Sequence, residues 1–277
     1  MQRDSETEIY SPDSSDVEYF KMAEIRIRKL IKLFNVGIDT LVDFLNTRGA
    51  RIESANPNLY SEGTIEEKKQ DTFAPINETI QSFPRVMHGL PLKLNKRIFY
   101  PSMVNSCHGI AHTSRVLLYS YIICCNLSGV SDDEKNACYL AAIIHDLGKT
   151  DDSEGSIHGY KTMIRFKDTV HQIIPSLELQ NRILNAVRYH SVEDDECPAD
   201  TRNDLIWKVL KDSDALDRSR FHRGCDVQYL RLPLFKQQIG ELLVEFANSL
   251  PAITSNLAWD NPCDELLCVI NRVLRSH

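Results

Sequence analysis

CYLAAIIHDLGK, residues 138–149, reads as a largely apolar helix that delivers His145 and Asp146 at its last turn, just before Gly148. A histidine beside a carboxylate is costly to bury against Leu, Ala and Ile unless a metal or a charge partner compensates. The pair is therefore a sharper signal than either residue alone. Upstream, HGIAHTSRVLLYSYII (108–123) sets His108 and His112 four apart on one helical face, with Arg115 three residues after His112. Downstream, DDSEGSIHG (151–159) places His158 and RYHS (188–191) places His190. LKDSDALDRSRF (210–221) then places Asp212, Asp214, Asp217 and Arg218 on a helix. A divalent cation that activates water needs a few fixed nitrogen and oxygen ligands and at least one open position, and these residue types supply both donors.

Taken singly, a histidine on an apolar helix is more often a hydrogen-bonded core residue than a ligand. Only the ordered set argues for a site. The order His-x-x-Arg-Val, His-Asp-x-Gly-Lys, His-Gly, His-Ser and Asp-Ser-Asp-Ala-Leu-Asp-Arg, over about residues 105 to 222, resembles the HD-domain phosphohydrolase superfamily. By that resemblance His112, His145, Asp146 and Asp214 are the ligands of a first metal. In two-metal relatives Asp146 would bridge, and His158 and His190 would complete a second site. Lys149 would lie beside a substrate phosphate, with a helix C-terminal cation as the competing reading. Arg218 would stabilise the phosphate charge or pair with Asp214 or Asp217, and Arg115 is expected to brace acidic side chains. The role of His108 stays open. The cofactor expected is one or two divalent ions, of manganese, iron, cobalt, nickel, zinc or magnesium.

Helical periods recur over 112–128, 134–147, 178–190, 204–222, 234–250 and 263–275, so the expected fold is all-α, an HD-domain helical bundle. Four prolines between residues 70 and 105 predict a packed connector with short helices. The eight cysteines form no CxxC pair, and several sit in apolar helical runs, as reduced packing residues do. Vicinal Cys124 and Cys125 are expected in the core. Glu193 to Glu196 read as a solvated acidic loop, and His88, His171, His222 and His277 as bystanders.

The chain is expected to divide into a flexible acidic tail (1–18), a small basic helical module (19–72) and a main domain (73–277). In the middle segment, Ile27, Leu30, Ile31 and Phe34, then Ile38, Leu41, Val42 and Leu45, predict two short helices around Asn35 to Gly37. NVGIDTLVDFL, the Gly49 that follows and an extended stretch ending in Asn56-Pro57-Asn58 resemble the small N-terminal domain of translation initiation factor 2, over about residues 25 to 70. That resemblance implies an RNA, ribosome or protein partner, against the plainer reading of an accessory module with a solvated basic face.

A net charge of −7 argues against a general polyanion binder. No apolar run approaches the roughly 20 residues that cross a bilayer, so a cytoplasmic protein with no membrane partner is expected. The expected function is a phosphatase or phosphodiesterase acting on a nucleotide-like substrate through metal-activated water. Its rivals are an HD-fold di-iron oxygenase, a catalytically silent nucleotide sensor, and a translation-associated regulator.

Overall fold

A computed structural model describes residues 73–220, 224–250 and 258–275, all within the unit Gly63–His277. The described residues contain helices and no strand. The initiation-factor likeness, and the tail and module it belongs to, lie outside the described residues. The proline-rich connector forms α1 (Ala74–Ile80) and α2 (Phe83–Gly89), each with a proline in its first turn, and two short 3-10 turns at Lys96–Ile98 and Pro101–Met103.

At the centre runs α3 (Ile110–Asn126), buried almost without interruption from Ile110 to Cys124. A helix apolar on all sides belongs in a core. Leu117, Leu118, Ile122 and Ile123 are fully buried, each contributing roughly 1.5–3 kcal/mol. That burial carries the polar residues of the same helix, His112, Arg115 and Ser120, into the interior. Of the vicinal thiols, Cys124 faces the core as expected, whereas Cys125 is exposed.

Packed on α3 is α4 (Asp132–Ile144), whose start is fixed by a capping box between Ser131 and Glu134. A hairpin of α5 (Ile157–Ile173) and α6 (Leu177–Tyr189) follows, with the Ser176 side chain capping α6. After the single turn of α7 (Ala199–Asn203), α8 (Leu205–Leu216) packs against α3, α4 and α6. The sequence period expects a helix to residue 222, but α8 ends at Leu216 and tightens into a 3-10 turn, Asp217–Arg220. The reason lies in Asp217, whose side chain is held in the core by partners on two elements. The expected helix over 234–250 is likewise divided: extended Gln237 separates a 3-10 turn, Pro233–Lys236, from α9 (Gln238–Ser249). The last helix, α10 (Pro262–Arg275), packs on α2 and α3. No helix among the described residues is long and apolar enough to cross a membrane.

Candidate metal centre

Five elements converge at one place. The first turns of α3 and α5 bring His112 and His158, the ends of α4 and α6 bring His145, Asp146 and His190, and the last turn of α8 brings Asp214. The C-terminal ends of three helices carry partial negative charge, which favours a cation between them.

Two glycines permit the approach. A Cβ on Gly148 would stand 2.3 Å from the Thr162 backbone nitrogen on α5, and one on Gly159 would stand 2.6 Å from the Arg188 carbonyl oxygen on α6. The first gap is closed by a hydrogen bond from the Gly148 N–H to Thr162 Oγ1, 2.8 Å. The small residue after each His-Asp and His signal is thus a packing requirement of the site.

Each imidazole has one nitrogen committed to the scaffold. His145, His158 and His190 place Nδ1 at 2.8, 2.6 and 2.6 Å from the carbonyl oxygens of Ala142, Gly155 and Val187, each three residues back. A carbonyl only accepts, so Nδ1 carries the proton in all three. In His112 the same nitrogen lies 2.7 Å from Asp217 Oδ2. Asp217 is fully buried and is braced by Arg115, from Nε and, at 3.1 Å, from Nη2, and by Arg220 Nη1 at 2.9 Å. Arg115 therefore braces an acid, as its position in the sequence suggests.

Four Nε2 lone pairs remain, and they meet in two pairs. His112 and His145 stand 3.0 Å apart, His158 and His190 3.1 Å. Asp146 lies between the pairs: its Oδ2 is 3.5 and 3.6 Å from the first two nitrogens, its Oδ1 3.1 and 3.3 Å from the second two. Asp214 Oδ1 joins the first pair, 3.5 Å from His112 Nε2. Two donors each about 2.1 Å from one cation stand about 3.0–3.4 Å apart, so these spacings fit a cation on either side of Asp146. His112, His145 and Asp214, and an overlapping group of His145, Asp146 and His190, can each present ligand atoms to one ion.

The electrostatics agree. Burial opposes ionisation of Asp146, but the surrounding imidazoles, His145 foremost, hold its carboxyl well below the usual range. Desolvation also opposes ionisation of half-buried Asp214, but His112 and His145 hold its carboxyl below the ordinary value. Burial drives His145 down to about 4 in spite of Asp146, leaving its Nε2 free to donate. For His112, burial and Arg220 are outweighed by the Asp146 and Asp217 carboxylates, which raise it. The same negative field draws a metal ion.

The cluster opens into a cavity of about 400 Å³, within the range of small-ligand sites. Its lining combines His108, Asp146, His158, His190 and Asp214 with the basic Lys211, Arg218, Arg220 and Arg231. Arg231 is clamped by Asp194 at 2.7 and 2.8 Å and by buried Asp212 at 3.1 Å, and Lys211 reaches Asp194 at 3.3 Å. Asp194 is thus part of the cavity wall, which its place in an acidic run conceals. Arg218 is exposed and makes no ion pair among the described residues, with neither Asp214 nor Asp217 as its partner. Lys149 is buried, with its ammonium donating to the Glu154 carbonyl at 3.1 Å, and is not among the residues lining the cavity.

No curated protein matches the chain, and no solved structure does. The likeness of residues 25 to 70 to an initiation factor gains no support from the comparisons. Residues 109–219 match the family model of the HD domain, a span that contains all six converging residues, and this match supports the HD superfamily for that part of the chain.

Proposed function

We propose that the chain is a metal-dependent phosphohydrolase that cleaves a phosphomonoester or phosphodiester of a nucleotide-like substrate. The observation that carries the reading is the meeting of four imidazole Nε2 atoms, in two pairs, on the two oxygens of Asp146. HD domains belong to metal-dependent hydrolases. His112, His145, Asp146 and Asp214 would hold one divalent ion, and Asp146, His158 and His190 a second. Such ions supply a Lewis acid and lower the pKa of bound water from near 16 to about 7.

The protein's own part is positional. Asp217 and the three backbone carbonyls keep the imidazoles in one tautomer and one orientation. Asp214, with a side chain 37% exposed, presents its carboxylate to the cavity. Arg218, which lines the same cavity, orients a phosphoryl oxygen, since its guanidinium has no other charged partner among the described residues. Tyr229, 61% exposed at the cavity wall, offers a ring face to a planar base. Among the cavity's basic groups, Lys211 and Arg231 are already engaged by Asp194, so Arg218 is the readier phosphate ligand.

Full-length protein loaded with manganese, cobalt or nickel, kept free of oxygen and offered mono-, di- and cyclic nucleotides, tests this. Wild type should release product anaerobically, and Asp146→Ala should lose bound metal and turnover together. Full activity in Asp146→Ala refutes the assignment. Turnover that requires oxygen points instead to oxygenase chemistry.

A further inference from the structure

Apart from the six residues of the HD cluster, a second group of metal-type donors stands at the edge of the same cavity. Cys107 Sγ lies 3.2 Å from His108 Nδ1, and that nitrogen lies 2.9 Å from Asp152 Oδ1. The three ligand atoms fall within 4.8 Å of one another. They come from two segments: Cys107 and His108 precede α3, and Asp152 belongs to the loop between α4 and α5. The ring of His108 meets that of His112 edge-on, with centroids 5.8 Å apart, and His108 lines the cavity.

We propose that Cys107, His108 and Asp152 form a further cation site for a thiophilic ion of the zinc class. The donor set decides the class of ion. A thiolate with an imidazole and a carboxylate suits zinc or cobalt and is a poor match for magnesium or manganese, whereas the HD cluster offers nitrogen and oxygen alone. Three protein ligands leave a tetrahedral ion one open position, and Cys107 and Asp152 are both exposed, so solvent reaches it. Observed spacings near 3 Å need to widen by only a few tenths of an ångström to suit ligands around one ion. On binding, the Cys107 S–H bond breaks, the proton passes to solvent and the sulfur bonds to the ion. The ion then ties the α4–α5 loop, which connects Asp146 to His158, to the start of α3, which carries His112.

None of the three ligands belongs to the HD cluster, so this site can be tested whether or not the hydrolase reading holds. Reduced full-length protein is titrated with Co(II) while thiolate-to-cobalt charge-transfer absorption is followed in the near ultraviolet, a signal the sulfur-free HD cluster cannot give. Up to three equivalents, enough to fill both HD positions as well, should develop that absorption in wild type, and the same band should appear in His145→Ala, which removes an HD ligand. Cys107→Ser should abolish it, and Asp152→Asn should weaken the affinity roughly 10-fold or more. Circular dichroism checks that the variants remain folded, as expected for Cys107→Ser and Asp152→Asn at exposed positions. Absence of the band in wild type overturns the site, as does a band undiminished by Cys107→Ser. Equal affinity in Asp152→Asn overturns the ligand set.

Discussion

Replacing Asp217 with Asn alters one atom and should damage both the fold and the metal centre. The Asp217 carboxylate is fully buried and receives His112, Arg115 and Arg220. Asn keeps one acceptor oxygen and turns an NH2 group toward donors. Arg115, only 4% exposed, would then hold an uncompensated buried charge. Breaking a buried pair in this way costs about 3–5 kcal/mol. For a domain of this size each kcal/mol moves Tm by about 2–4 °C, so the fall should be roughly 6–20 °C by calorimetry. His112 also loses the group that fixes its tautomer, which should weaken metal binding roughly 10- to 100-fold in isothermal titration. An acid signature accompanies this. Burial alone would raise the Asp217 carboxyl, but Arg115 and His112 hold it down at about 2 against an ordinary 3.8. The stabilisation, about 2 kcal/mol, is therefore full above pH 3.8 and is lost as pH falls through about 2. Wild type should show that acid slope, and the Asn variant a shallower one, since Asp146 and Asp214 still contribute theirs. Wild-type Tm together with wild-type metal affinity in the variant would show that Asp217 serves neither role.

Two other substitutions separate packing from substrate contact. Gly148→Ala drives a methyl into the Thr162 backbone, which cannot rotate away; overpacking of this kind costs about 1–3 kcal/mol, and because Asp146 is two residues off, metal affinity should fall with Tm. Wild-type values for both would show that the α4–α5 contact is looser than described. Arg218→Ala should leave metal content and Tm unchanged while lowering kcat/KM about 10- to 100-fold, the worth of one charge-assisted hydrogen bond to phosphate. Unchanged kinetics would remove Arg218 from the substrate's path.

The metal candidates were legible because their spacing follows helix geometry and chain order. His145 and Asp146 end an apolar helix, His112 sits on the buried face of α3, and Asp214 lies on α8 among buried Leu210, Ser213 and Leu216. Helix α5 was harder to read: Ile157, Tyr160 and Ile164 are exposed while His158, Gly159 and Thr162 are buried, which inverts the usual period. Arg231 and Lys211 join the cavity wall through Asp194 and Asp212, long-range ion pairs that leave no local pattern. Asp217 stands beside Arg218 in the sequence as its possible partner, yet it turns inward to His112 and Arg115, long-range partners that chain spacing does not announce. Lys149 follows the His-Asp pair closely, but its direction depends on the loop that supplies the Glu154 carbonyl.

Whether Asp146 joins two cations can be read from anomalous diffraction by crystals of the manganese-loaded protein. Two peaks about 3.5–4 Å apart are expected, one on either side of the Asp146 carboxylate, the first against His112, His145 and Asp214 and the second against His158 and His190. No peak at Asp146, or a metal bound without His112 and Asp214, would contradict that arrangement.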